Sequence, residues 1–153
     1  MMTKKMVTAG FLTLLFLPAL PATAPAEGEI YGRLKSGKES FQAKCGLCHP
    51  LKDALNETKS RDDWEITVAM MKSNGAVLTD EESAVIVDYL STKSLFETKC
   101  SVCHKIQRPL SKSKDMNGWK ATVTRMSGKR PGHLTETEIE QIVAHLSLER
   151  PLQ

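Results

Sequence analysis

The chain of 153 residues is long enough for one domain or two very small ones. Its formal net charge of +3 falls to +1 for residues 27–153, because Lys4 and Lys5 precede them. A balance so close to neutral gives no reason to expect nucleic acid or an anionic membrane surface as a partner. Only 5% of the residues are aromatic, so two small units would have thin cores, and folds of that size often depend on a metal or another staple.

The N-terminal segment has the pattern of an export signal. Two lysines are followed by a mostly apolar, uncharged stretch from Met6 to Leu20 and by small residues at Ala24-Pro25-Ala26. We therefore predict that residues 1–26 are a signal peptide cleaved near Ala26, which places the mature protein in the periplasm without stable membrane insertion. An uncleaved anchor is the alternative, although the apolar stretch is shorter than the about 20 residues that span a bilayer.

An internal repeat organises the rest of the chain. Residues 41–71 align without gaps on residues 96–126, with 11 of 31 positions identical. After a single-residue insertion, LTDEESAVIVDYL matches LTETEIEQIVAHL. We predict two copies of one unit, residues 27–92 (unit 1) and 93–153 (unit 2). Almost no linker separates them, so the copies should pack against each other.

Each copy is predicted to be helices joined by loops, so the fold class is all-α. A short segment carrying a phenylalanine precedes each first cysteine, and a helix of about two turns begins near each tryptophan. Ser60 and Asp115 occupy the N-cap positions of these helices. The last helix of each copy opens with a capping box, at Thr79 and at Thr135, and continues with apolar residues at helical spacing. Loops are expected between each histidine of the cysteine motifs and the following tryptophan, which we interpret as a core residue in both copies.

All four cysteines lie in two motifs, Cys45-Gly46-Leu47-Cys48-His49 and Cys100-Ser101-Val102-Cys103-His104. C-x-x-C-H is the attachment signature for c-type haem. Two thiols at this spacing reach the two vinyl groups along one haem edge, and the following imidazole can then ligate the iron. The sequence therefore predicts two haem c groups, attached through Cys45, Cys48, Cys100 and Cys103, with His49 and His104 as iron ligands.

A four-thiolate zinc site and a pair of disulfides are competing interpretations of the cysteines. The 51 residues that separate Cys48 from Cys100 exceed the roughly 15–20 of a zinc ribbon. Disulfides suit an exported protein. Both interpretations leave the histidine after each motif unexplained.

These residues resemble class I cytochromes c. The resemblance rests on Gly37-x-x-x-Phe41-x-x-x-Cys45-x-x-Cys48-His49, a downstream methionine and an L-T-x-x-E-x-x-x-I-V-x-Y-L helix. The repeat length and the W-x-x-T-V-x-x-M helix are similar to tandem dihaem modules found with quinoprotein dehydrogenases. The resemblance implies that Phe41 packs with Tyr89 at the haem. In unit 2, Phe96 would face His145, for which we expect a position at the haem edge or in solvent.

The resemblance also implies a methionine as the sixth iron ligand. Met71 and Met126 are the equivalent methionines of the two copies, and each lies shortly before the Leu-Thr pair of the last helix. Thioether sulfur favours ferrous iron. Met70 is the rival in unit 1; His133 and Met116 are the rivals in unit 2.

The sequence thus predicts an electron carrier rather than an enzyme. Its partners would be redox proteins, such as a dehydrogenase, a reductase or a membrane electron-transfer complex. The basic clusters Lys112 to Lys114 and Lys129-Arg130 could steer such a partner, but we interpret them as solvated loop charges. The alternative is a dihaem peroxidase-like enzyme or a gas or redox sensor with one open iron.

Overall fold

The computed structural model describes residues 27–151, and this part of the chain is helical and contains no strand, as predicted for an all-α fold. The predicted signal peptide, residues 1–26, lies outside the described residues. Within them, no helix is long and apolar enough to cross a membrane. The described residues form seven helices, which are α1 Glu27–Cys45, α2 Lys52–Leu55, α3 Arg61–Ser73, α4 Asp80–Cys100, α5 Gln107–Leu110, α6 Met116–Ser127 and α7 Glu136–Glu149.

Side-chain caps begin the helices where the sequence predicts them. The Ser60 hydroxyl accepts a hydrogen bond from the Asp63 amide at 3.1 Å, and the Asp115 carboxylate accepts one from the Gly118 amide at 2.7 Å. Thr79 and Thr135 each form a complete capping box with the glutamate three residues later. These bonds satisfy amide groups that the first helical turn leaves without partners. The predicted caps are confirmed.

The sequence repeat is also a repeat of contacts. Lys44 pairs with Glu82 at 3.1 Å in unit 1, and Lys99 pairs with Glu138 at 2.9 Å at the equivalent place in unit 2. The ammonium of Lys59 lies 5.0 Å from the ring centre of Trp64, and Lys114 lies 5.6 Å from that of Trp119. The two copies therefore fold with the same internal arrangement.

Two expectations about the elements were wrong. The segment before Cys45 is not short, because α1 has 19 residues. The segments between each histidine and tryptophan are not loop throughout, since α2 and α5 each form one turn there. Four-residue helices carry too little periodicity to be predicted from sequence.

The helix α4 runs through the predicted boundary between residues 92 and 93. Its first half is the last helix of unit 1, and its second half is the helix that leads to Cys100 in unit 2. The helix α1 crosses the first half of α4 at Gly37, where an added Cβ would clash with the carbonyl oxygen of Val85. Thr92, the equivalent of Gly37 in unit 2, is buried. Unit 2 thus accommodates a side chain at the position that is equivalent to Gly37.

Each unit has its own apolar cluster. Trp64 and Trp119 are each 1% exposed at the centres of the two clusters, so their interpretation as core residues is confirmed. A third cluster joins the units, where Ile30 and Leu34 of α1 pack against Ala144 of α7.

Polar contacts also join the units at the middle of α4. The hydroxyl of Ser94 accepts hydrogen bonds from the Trp64 indole at 3.0 Å and from the Lys59 amide at 3.2 Å. The buried ammonium of Lys93 binds the Glu57 carbonyl at 3.1 Å and the Glu97 carboxylate at 2.8 Å. The start of unit 2 thereby holds the loop that leads into α3 of unit 1.

Candidate cofactor sites

Site 1 is formed where α1 ends at the first cysteine motif. Two adjoining cavities, of about 270 and 210 Å³, open beside this motif. Both are lined by Cys45, His49 and Met71 together with Val68 and Ile86, and the smaller is lined by Cys48 as well. The structure thus brings Met71 together with the three residues of the cysteine motif, of which Cys45 lies 26 residues before it. The sequence assigns these four side chains to one site.

The walls of site 1 are mostly apolar. The larger cavity is lined by Phe41, Trp64 and Leu90, which belong to three different helices and are each nearly fully buried. Buried apolar walls exclude water and favour an apolar occupant. Such a cavity can hold an apolar group that is anchored through two thiols, with an imidazole and a thioether as additional ligands.

Backbone carbonyls orient both candidate histidines in the same way. Nδ1 of His49 lies 3.4 Å from the Pro50 carbonyl oxygen, and Nδ1 of His104 lies 3.2 Å from that of Lys105. A carbonyl can only accept, so each Nδ1 carries the proton and donates. The lone pair is then on Nε2, and this arrangement is typical of histidines that ligate a metal.

Burial keeps the first thiol of each motif protonated. Desolvation, with a smaller contribution from the Cys48 thiol, raises the pKa of Cys45. The same causes, burial and then Cys103, raise the pKa of Cys100 to about 11. Thiol–disulfide oxidoreductases instead lower the pKa of a C-x-x-C cysteine to make it nucleophilic. Neither Cys45 nor Cys100 therefore has the lowered pKa that is typical of a nucleophilic cysteine.

The geometry also bears on the disulfide and zinc interpretations of the cysteines. None of the four, all of which are described, takes part in a disulfide. In residues 27–151, no three histidine, cysteine or acidic side chains come together as a metal-binding group. A zinc site that draws thiolates from both motifs is therefore not assembled.

Met71 and its rival Met70 occupy different environments. Met71 lines both cavities of site 1, whereas Met70 is 53% exposed on the outside of α3. A residue and its neighbour lie about 100° apart around a helix, so only one of the two can face the cavity.

Site 2 repeats the first motif, with Cys100 at the end of α4 and packed against the core of unit 2. Its three candidate sixth ligands are not equivalent. Met126 is 36% exposed in the last turn of α6, and Met116 is partly buried against the core cluster. Nε2 of His133 lies 3.0 Å from the carbonyl oxygen of Lys99. Met126 is thus partly open to solvent, and its assignment as the ligand opposite His104 stays a prediction.

One feature that the sequence did not suggest is a row of four buried rings between the two sites, which we call the aromatic row. It consists of Phe41, Tyr89, His145 and Phe96, with successive ring centres 5.9, 6.2 and 5.4 Å apart. Phe41 lines site 1, and Phe96 lies in the core of unit 2. The contact of Phe41 with Tyr89 and that of Phe96 with His145 agree with expectation. The Tyr89–His145 contact joins the two units.

The expectation that His145 could face solvent was wrong. The side chain is 3% exposed between Tyr89 and Phe96, and its Nδ1 has no hydrogen-bond partner among the described residues. The helical pattern of α7 could have indicated this burial, because His145 lies three residues after Ile142, a core residue.

The chain was also compared with known proteins. No family model, no curated protein and no solved structure matched it.

Proposed function

We propose that the chain is an exported dihaem c-type cytochrome that carries electrons one at a time between redox partner proteins. One observation carries this proposal: Met71 lines one mostly apolar site together with Cys45, Cys48 and His49, although it lies 22 residues after His49 in the sequence. The residues proposed to hold the first haem are these four. Those proposed to hold the second are Cys100, Cys103, His104 and Met126.

The residues of site 1 have separate roles in this proposal. A bound haem would supply an iron that alternates between the ferric and ferrous states. The thiols of Cys45 and Cys48 anchor it, and the carbonyl of Pro50 fixes the proton on Nδ1 of His49 so that Nε2 is free to ligate. Met71 offers a neutral, soft sulfur that favours the ferrous state. Phe41, Trp64 and Leu90 form a buried apolar part of the wall, which reduces the rearrangement of water that accompanies a change of charge.

The test is a redox titration of protein produced in a host that matures c-type haem. We expect a visible spectrum of haem c and two reversible one-electron steps, one for each unit. Purified protein without visible absorbance would contradict the proposal, and so would a spectrum that does not respond to oxidant and reductant.

The exposure of Met126 favours a second candidate function. If that methionine does not ligate, the iron held by His104 has an open position, as a peroxidase-like enzyme or a gas sensor requires. The two functions differ in their response to carbon monoxide added to the reduced protein. The carrier should be inert, whereas rapid binding to half of the haem would favour the enzyme or sensor.

A further inference from the structure

The two units have opposite formal charges. Residues 27–92 contain eight lysines and arginines against twelve aspartates and glutamates, and residues 93–153 contain eleven against six. The formal charges are therefore −4 for unit 1 and +5 for unit 2, which nearly cancel in the whole chain.

Part of the difference lies beside the two cofactor sites. The helices α2 and α5 are equivalent, because each begins three residues after the histidine of its motif. Asp53 in α2 and Glu57 just after it line site 1. A shift of 55 residues places Arg108 and Lys112 at these positions in unit 2.

Two further positions in this segment also differ in charge. Lys105 replaces Pro50, which adds a positive charge to unit 2 directly after His104. Gln107 stands at the position of Lys52, and this is the one change in the segment that removes a positive charge from unit 2. The segment that follows the histidine therefore has an excess of negative charge in unit 1 and of positive charge in unit 2.

These charges are available to a partner. Asp53, Glu57, Lys105, Arg108 and Lys112 are all exposed. Among the described residues, none of the five side chains takes part in an ion pair. By contrast, Glu97, Glu138 and Glu149 of unit 2 are each paired with a lysine. The charged side chains of residues 105–112 are therefore all cationic and unpaired.

An apolar side chain lies within the same motif. Val102, between the two cysteines of site 2, is 54% exposed. An apolar centre with a charged rim is the usual composition of a protein–protein interface, and complementary charge raises the rate at which two proteins meet. Three unpaired cations are fewer than the four to eight that typically recruit a protein to anionic lipid.

We propose that the face of unit 2 formed by Val102, Lys105, Arg108 and Lys112 is a docking surface for a partner protein with an acidic surface. This proposal rests on the proposed function, because the face adjoins the motif through which the second haem would exchange electrons. Unit 1 does not offer this surface to the same partner, since Asp53 and Glu57 repel it. The two ends of the chain therefore select different partners.

The test measures adsorption of the haem-loaded protein on a gold surface that carries a carboxylate-terminated monolayer, which serves as the acidic probe. Arg108→Asp gives unit 2 the residue that unit 1 has at this position. At low salt we expect it to slow adsorption on the order of tenfold. The matched control is Lys35→Asp, an exposed position on α1 with the same change in net charge, which should slow adsorption no more than about twofold.

A second arm uses an amine-terminated monolayer, on which Asp53→Arg should slow adsorption while Arg108→Asp should not. Equal losses for Arg108→Asp and Lys35→Asp on the carboxylate surface would overturn the proposal, because net charge alone would then explain adsorption. Equally fast binding to vesicles of phosphatidylcholine and phosphatidylglycerol would also overturn it, in favour of a membrane surface.

The visible spectrum of each sample is recorded separately from the adsorbed mass. Coloured protein that does not discriminate between the variants would refute the docking surface alone. Colourless protein that still discriminates would refute the electron carrier and leave the charged surface established.

Discussion

Met70 and Met71 are neighbours in α3, and they provide a test of the sixth ligand at the scale of a single residue. Only Met71 faces site 1. We expect Met71→Ala to abolish the near-infrared charge-transfer band of the Met-ligated haem in unit 1 and to lower its reduction potential, because a soft ligand of ferrous iron is lost. Optical titration with near-infrared detection measures both.

Met70→Ala is the matched control, since it removes the same side chain from the exposed side of the same helix. It should leave the band and the potential unchanged. If the two variants behave alike, Met71 is not the ligand.

His145 makes a prediction about pH. Its burial lowers the pKa of the imidazole to about 4, against an ordinary value of 6.5. The neighbouring charges act in both directions, because Glu149 and Glu97 favour the protonated ring while Lys93 and Lys38 oppose it. The folded protein therefore keeps His145 neutral at a pH where the unfolded chain already binds a proton. It follows that neutral His145 does not reduce the free energy of unfolding above about pH 6.5. Below that pH the free energy of unfolding decreases as the pH falls towards 4.

We expect this histidine to contribute a loss of up to about 3 kcal/mol in the free energy of unfolding between these limits. Urea unfolding at several pH values measures the dependence, and His145→Leu should make it shallower because the titrating group is gone. An identical pH dependence in the variant and the wild type would contradict the role of His145.

At the scale of elements, the crossing of α1 and α4 depends on Gly37. A methyl group there would clash with the Val85 carbonyl oxygen, so Gly37→Ala must push the helices apart. We expect a loss of about 1–3 kcal/mol in the free energy of unfolding. Chemical denaturation followed by circular dichroism measures the change.

Gly32→Ala provides the control within α1, because nothing lies within 4 Å of the added Cβ. Alanine favours a helix by up to about 1 kcal/mol over glycine, so this variant should be as stable as the wild type or more so. Equal destabilisation by both substitutions would show that the close crossing is not the cause.

The helices were predictable from sequence where local signals were strong. The capping boxes at Thr79 and Thr135 and the caps at Ser60 and Asp115 specify where four helices begin, and the structure has all of them. The continuity of α4 was not foreseen, because a repeat suggests a boundary between its copies even where no residue ends the helix. No glycine or proline lies between residues 80 and 100.

The candidate site was predictable to a different degree in each unit. The cysteine motifs and the histidines are adjacent in sequence, so their proximity required no knowledge of the fold. Met71 was assigned from the repeat and the resemblance, and it lies in the site. Met126 was assigned by the same reasoning and is 36% exposed, so its role as an iron ligand stays a prediction.

At the scale of the whole molecule, the two units depend on each other. Residues 93 and 94 bind the loop of residues 57–59, and α7 covers one side of α1. We expect the fragment of residues 27–92 to melt roughly 10 °C or more below the protein of residues 27–153, because it loses these contacts and half of α4. Thermal unfolding followed by circular dichroism measures this difference.

The fragment of residues 27–99 separates the contribution of the second half of α4 from that of α7. It keeps Lys93, Ser94 and nearly all of α4 but lacks α7, so its melting temperature should lie between those of the shorter fragment and the full protein. A fragment of residues 27–92 that melts with the longer protein would instead show that unit 1 is an independent domain.

The proposed function requires that each cysteine pair holds one haem covalently. The most direct measurement is the intact mass of the protein under denaturing conditions, after production in a host that matures c-type haem. The mature chain should carry the mass of two haems, and the variants Cys45→Ala/Cys48→Ala and Cys100→Ala/Cys103→Ala should each carry one. A wild-type mass equal to that of the polypeptide alone would contradict the account.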